Sequence, residues 1–285
     1  MKRRNFIKTI TGAAASGVLL GVYTWQIEPF WLEFVRIAMP IQHLPDHLVG
    51  RTLMQISDMH VGNQFDRQYL IDSLKKAQKF APDFVLYTGD YVSYETEEQI
   101  GQLSEVMQHA TKGKMGTYAV FGNHDYGYNW AQPEVANQIG GVLENVGIRV
   151  LRNEAVEANE LSFIGLDDFW ATNYAPEKVL SGFDHDRPCV TLCHNPDVLD
   201  EAVWGGYKSW VLSGHTHGGQ CKPPFLTPPL LPVRNRRYSS GLISFEDGRK
   251  LYINRALGNL IQVRFNVRPE ITIFELQKAN LATKI

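Results

Sequence analysis

Little in this 285-residue chain is cross-linked, strongly charged or repetitive. Its three cysteines, Cys189, Cys193 and Cys221, form neither a Cys-x-x-Cys pair nor an even disulfide set, so free thiols are expected rather than a stapled scaffold. The net charge of -2 leaves no general basic field, and nucleic acid is not expected as a partner. Neither an internal repeat nor a low-complexity tract interrupts the chain. What remains is ordinary globular composition, 44% hydrophobic and 20% charged, with room for a sizeable core in one large or two small domains.

The N-terminus reads as targeting and not as fold. Lys2-Arg3-Arg4-Asn5-Phe6-Ile7-Lys8 precedes a charge-free stretch, Thr9 to Ile27, rich in Ala, Gly, Val and Leu. Adjacent arginines followed by Phe, an aliphatic residue and Lys resemble a twin-arginine export signal, although Lys2 stands where that pattern prefers Ser or Thr. The resemblance implies the bacterial export machinery as a partner and an extracytoplasmic location. The stretch approaches the length of a membrane span and no small-x-small cleavage site follows it, so residues 1–27 are expected as a signal or retained anchor. Residues 28–50 follow as an amphipathic segment and linker. Phe30, Trp31, Phe34, Val35 and Ile37 give one apolar face if the segment is helical, suited either to a membrane surface or to packing on the next domain.

From residue 51 to 277 apolar strands alternate with helical periodicity, leaving 278–285 as a tail. Strands are expected at Arg51 to Ser57, Phe84 to Thr88, Thr117 to Phe121, Ile148 to Leu151, Leu161 to Gly165, Val190 to Cys193, Trp210 to Ser213, Gly241 to Phe245, Lys250 to Asn254 and Ile271 to Leu276. Helices are expected at Asp66 to Phe80, with Asp66 as N-cap, and at Glu95 to His109 and Gln132 to Val146. This pattern implies an α/β layered architecture with reactive loops gathered at strand carboxyl ends.

Those ends carry the chemistry. Asp58-Met59-His60 follows the first strand, Gly89-Asp90 the second, Gly122-Asn123-His124-Asp125 the third, His194-Asn195-Pro196-Asp197 a later one, and Gly214-His215-Thr216-His217-Gly218-Gly219 another. Carboxylates, imidazoles and one amide oxygen suit a pair of metal ions. Asp90 has two oxygens with which to bridge, and His215 and His217 sit in a glycine cage that leaves space around their rings. Asn123 can ligate through its carbonyl oxygen while His124 points at substrate and Asp125 fixes which imidazole nitrogen carries the proton. Arg234, Arg236 and Arg237, in a Pro-rich loop, can clamp phosphate oxygens or form a solvated face. Asp167 and Asp168 beside Trp170 read as structural, and His43, His47, His109 and His185 match no motif.

Together these blocks resemble the calcineurin-like metallophosphoesterase superfamily over roughly Arg51 to Leu276, and more narrowly its twin-arginine-type bacterial phosphodiesterase branch, which includes UDP-diacylglucosamine hydrolases. The resemblance implies a four-layer αββα sandwich of two mixed sheets flanked by helices. It also implies two divalent ions, Mn, Fe or Zn, one held by Asp58, His60 and His217, the other by Asn123, His194 and His215, with Asp90 bridging. The implied reaction is attack of a hydroxide held between the ions on a phosphodiester or pyrophosphate, with a lipid or lipid-linked substrate, His124 as leaving-group acid and Asp125 as its orienter.

Overall fold

The computed structural model describes residues 3–62 and 65–279, apart from the side chains of Phe6, Ile7, Thr9 and Ile10; Lys2 and nearly all of the expected tail lie outside the described residues. The chain opens with α1 (Arg3–Val22), then strands β1 (Glu33–Ile41), β2 (Thr52–Ile56), β3 (Phe84–Thr88), β4 (Gly116–Val120) and β5 (Arg149–Val150). Three helices interleave with the latter strands: α2 (Arg67–Gln78), α3 (Glu98–Met107) and α4 (Pro133–Asn145). The second half supplies β6 (Glu154–Ala158), β7 (Leu161–Gly165), the single-turn α5 (Glu177–Leu180), β8 (Cys189–Leu192), β9 (Trp210–Ser213), β10 (Gly241–Ser244) and β11 (Lys250–Ile253). Finally β12 (Glu270–Lys278) returns to the first half. Two six-stranded mixed sheets result, ordered β1-β12-β2-β3-β4-β5 and β10-β11-β9-β8-β7-β6.

Strand alternation sorts the side chains into layers. On β2 and β3, Leu53, Phe84 and Leu86 point to the second sheet and meet Phe163, Val190, Leu192, Trp210, Leu212 and Tyr252 there. Their alternates Met54, Ile56, Val85 and Tyr87 pack under Leu70, Leu74, Leu103, Val106, Ile139 and Leu143 of α2, α3 and α4. The outer face of the second sheet, with Ile164, Val211 and Leu251, is covered by α5 and loops carrying Trp204, Tyr207 and Tyr238. The expected four-layer arrangement therefore holds, with a thin outer layer on the second sheet. Asp66 caps α2 as expected, accepting from the Gln68 and Tyr69 backbone N–H groups.

Two expectations change. The 28–39 segment is not a helix: after a 3₁₀ turn at Glu28–Phe30 it extends as β1, parallel to β12 in register from Glu33↔Glu270 to Ile41↔Lys278. The open edge of β12 satisfies its backbone groups, and Pro40 is tolerated because the strand lies at the sheet margin. Its two phenylalanines face the domain, Phe30 stacking on Phe65 at 5.5 Å and Phe34 lying 4.6 Å from Phe80, while Trp31 is exposed. The expected linker 43–50 also buries Leu44 and Leu48 between the sheets. As for an anchor, no helix among the described residues is long and apolar enough to cross a membrane.

Candidate metal centre

The five metal-type blocks follow strands β2, β3 and β4, which run parallel to one another in one sheet, and β8 and β9, parallel to one another in the other. Because the sheets stack face to face, their loops meet over one end of the shared apolar layer. Polar bonds fix the meeting across the sheets. The Gln55 amide donates to the Ser213 carbonyl at 3.0 Å, and the His215 N–H donates to Asp58 Oδ1 at 2.9 Å. Within each sheet, the Asp58 N–H donates to the Gly89 carbonyl (2.9 Å) and the Gly214 N–H to the His194 carbonyl (3.0 Å). A side chain at Gly122 would collide with Asp90 Oδ1, and one at Gly214 with Asp58 Oδ2. Those glycines are there to let loops approach one another, not only an ion.

Two clusters form. The ligand-capable atoms of Asp58, His60 and His217 lie within 4.8 Å of one another, and so do those of Asp90, His194 and His215. All six residues are buried. His60 Nε2 is 2.9 Å from His217 Nε2, which is 3.3 Å from Asp58 Oδ1. In the second cluster, His194 Nε2 is 3.3 Å from His215 Nδ1 and 3.1 Å from Asp90 Oδ2. Asp90 Oδ2 also lies 3.5 Å from His60 Nε2, so one carboxylate oxygen faces both clusters.

Backbone carbonyls set the tautomers. The Thr88 carbonyl is 2.7 Å from His194 Nδ1, and the Pro232 carbonyl is 2.8 Å from His215 Nε2. Each accepts the N–H of its imidazole and turns the other ring nitrogen toward the cluster. Burial works against the charged forms, yet His194 and His217 outweigh it at Asp58, which is held at about 2. Burial and the neighbouring His194 push His215 down to about 3, keeping it neutral. The donor set fits metal ions on a further ground: Asn123 Oδ1, Asp58 Oδ2 and His217 Nδ1 are buried with no hydrogen-bond partner. An orphaned amide oxygen there costs about 1–3 kcal/mol unless something electropositive takes it.

Five of these residues carry a left-handed backbone: Asp58 (φ 52°), His60 (47°), Asp90 (53°), His215 (71°) and His217 (50°). None is glycine, and such conformations cost on the order of 1–3 kcal/mol each.

His124 and Asp125 depart from expectation. The buried Asp125 carboxylate does not reach His124; it accepts the backbone N–H groups of Asp90 (2.9 Å), Tyr91 (2.8 Å) and Gly122 (2.8 Å). Asp125 therefore ties the Asp90 loop to the Gly122 turn. The half-buried His124 instead has Nδ1 3.2 Å from the Ser93 carbonyl, while its N–H donates to Asp90 Oδ1 at 3.0 Å. Ser93 carries no sequence signal for this role, because the group that acts is a main-chain carbonyl.

The arginines disperse. Arg236 donates to the Pro228 and Pro229 carbonyls and so serves its own loop, Arg234 lies 5.6 Å over the Phe169 ring, and Arg237 is exposed. Asp197 anchors this loop by accepting from the Arg234 and Asn235 backbone N–H groups. Asp167 binds Arg152 and Tyr126, as a structural residue would. The buried Asp168 accepts the Trp170 N–H at 2.8 Å, and burial pushes its pKa up to about 7. Trp170 meets His215 edge-on at 4.5 Å and stacks on Trp130 at 4.9 Å, forming an aromatic wall that the sequence did not disclose.

The profile of the calcineurin-like phosphoesterase family matches residues 51–219. The chain is 30% identical over 283 residues to the phosphodiesterase YaeI of Escherichia coli, covering 97% of this chain and 99% of that protein. It is 29% identical to the uncharacterized metallophosphoesterase YkuE of Bacillus subtilis, covering 98% and 99% respectively. It is also 26% identical to the UDP-2,3-diacylglucosamine pyrophosphatase LpxG of Chlamydia trachomatis, covering 93% and 95%. A solved dimetal phosphatase from Danio rerio aligns over 73% of this chain and 88% of that one, at 12% identity and a TM-score of 0.48.

Replacing Asp125 separates the loop-tying role from an orienting one. Asp125→Ala removes the acceptor of three buried backbone donors and is expected to lower the stability of the metal-depleted protein by at least about 3 kcal/mol in urea unfolding. Asp125→Asn, which keeps one acceptor oxygen, should recover part of that loss. Unchanged stability with only turnover lost would return Asp125 to the role of orienting His124.

Proposed function

The chain belongs to the calcineurin-like phosphoesterase family, and from that membership we propose that it hydrolyses a phosphodiester or pyrophosphate bond at two divalent transition-metal ions. The observation that carries this reading is the pair of buried clusters facing the same Asp90 oxygen, with imidazole nitrogens turned inward. Asp58, His60 and His217 would hold one ion, Asn123, His194 and His215 the other, with Asp90 shared. The mixed imidazole and oxygen donors suit Mn, Fe or Zn. When bound, such ions activate water and polarise the phosphoryl group.

The chain's own residues do the rest. The Ser93 carbonyl accepts a hydrogen bond from the Nδ1–H of His124, so Nε2 is the atom left to give a proton to the leaving oxygen as the P–O bond breaks and water oxygen joins phosphorus. Anchoring the His124 N–H on Asp90 keeps that acid in step with the shared carboxylate. Burial of both clusters removes competing solvent and strengthens each electrostatic contact with phosphate. Arg236 is engaged elsewhere, which leaves Arg234 and Arg237 for phosphate contact.

The similarity to phosphodiesterase YaeI favours a phosphodiester, whereas that to LpxG favours a lipid-linked pyrophosphate as the alternative. The twin-arginine-like segment supports export, association with the membrane surface and an extracytoplasmic site of action. A nucleotide-sugar substrate would instead require the cytoplasmic face, where such compounds are made.

Metal-depleted protein should regain hydrolysis of a chromogenic phosphodiester on addition of Mn, and failure with Mn, Fe and Zn alike would sink the catalytic reading. His124→Asn should lower kcat by about 10²–10⁴ with metal content near normal; loss of both metals would instead make His124 part of the metal site. Exchanging Arg3-Arg4 for a lysine pair should leave the protein on the cytoplasmic side, and unchanged export would remove the twin-arginine claim.

A further inference from the structure

Beside the metal centre lies a groove of about 540 Å³, within the range of roughly 300–1,000 Å³ typical of small-molecule sites, whose lining runs from His215 and His217 to Leu230, Leu260, Ile261 and Val263. Beyond the two histidines its walls are apolar for a structural reason: the Thr216 and Gln220 side chains that reach it are already engaged. The Thr216 hydroxyl donates to the Ser239 carbonyl at 2.6 Å. The Gln220 amide donates to the carbonyls of Ile261 (2.8 Å) and Val263 (2.9 Å), pinning the far wall in place. Yet the rim is wet, with Leu230 79% and Ile261 69% exposed, a poor use of large aliphatic side chains unless something apolar joins them. The same wall continues into the N-terminal segment, where Gln262 donates to the Trp25 carbonyl and Arg264 to the Thr24 carbonyl, and Trp25 is itself exposed.

We propose that this groove seats the hydrocarbon tail of the substrate, so that the reacting phosphoryl group and an alkyl or acyl chain are bound side by side. The inference rests on the hydrolytic reading above and names its substrate class as amphiphilic phosphoesters. The choice of occupant follows from the groove's inner end. Anything that fills it must finish against His215 and His217, the residues assigned to metal, and a molecule with a phosphate next to a chain does so productively. A side chain from a second copy in the same position would block the ions.

The test compares octyl p-nitrophenyl phosphate with methyl p-nitrophenyl phosphate, both as monomers, using the full chain with Mn. The octyl ester is expected to have a kcat/KM higher on the order of tenfold or more, because each methylene buried in the groove adds favourable transfer free energy. Leu230→Asp and Ile261→Asp should bring the octyl-to-methyl ratio toward one; the ratio is taken on a single sample, so partial misfolding does not move it. An equal ratio in the parent protein, or an unchanged preference in both variants, overturns the proposal, whether the apolar rim then turns out to join two copies or to rest on vesicles. Binding of a dansyl-labelled alkyl phosphate to metal-depleted protein, read by fluorescence and weakened by Leu230→Asp, is independent of turnover. If neither ester is cleaved but this probe binds in that way, the hydrolytic reading fails and the groove stands.

Discussion

One buried carboxylate with three backbone donors holds the centre of this protein together. Asp125 accepts from Asp90, Tyr91 and Gly122, and thereby locks the loop after β3 onto the turn after β4. Asp90 is then fixed with one oxygen on the His124 N–H and the other facing both clusters. Removing a carboxylate from water is costly, and here directed N–H groups supply much of the compensation. The Asp58–His60 loop is tied to this junction in turn, its Asp58 N–H donating to the Gly89 carbonyl and its His60 N–H to the Asp90 carbonyl.

The second constraint is backbone strain. Left-handed conformations at Asp58, His60, Asp90, His215 and His217 are unfavourable for the residue types that occupy them, and the surrounding ladders must enforce them. They are enforced by the two stacked sheets, whose inter-sheet layer contains Phe84, Phe163, Trp210 and Phe274. The rigidity of the apolar interior is thus converted into the aim of imidazoles and carboxylates at its edge. Bound cations would relieve part of the remaining cost by taking up Asn123 Oδ1 and Asp58 Oδ2, which have no partner within the protein.

Much of this was legible beforehand because it is local. Phe84–Thr88, Leu161–Gly165 and Trp210–Ser213 are short apolar runs bounded by polar turns, and their boundaries were read correctly. The candidate residues were legible because polar groups with strand-end spacing recur in order. What failed to show depends on partners distant in sequence. The segment from Phe30 to Ile37 satisfies a helical pattern, and only the open edge of β12 decides that it is extended. Strand β6 was not anticipated, since Glu154–Ala158 is a mostly exposed run of small residues broken by two glutamates and gains its order from β7. Asp125 next to His124 suggested a pair, but adjacency along the chain says nothing about where each side chain turns. Main-chain acceptors such as Ser93, Thr88 and Pro232 leave no mark in residue type at all.

The pairing of β1 with β12 has a consequence for the order of events during synthesis. Strand β1 is an edge strand whose sheet neighbour is the last strand of the domain, with Glu33 opposite Glu270. While a ribosome is still adding the second sheet, β1 has nothing to pair with, and the segment just upstream of it stays outside the finished fold. The first sheet closes only when the carboxyl-terminal strand emerges and inserts between β1 and β2. Closure of the first sheet is therefore felt at the opposite end of the domain's sequence, in β1 and the segment that leads into it.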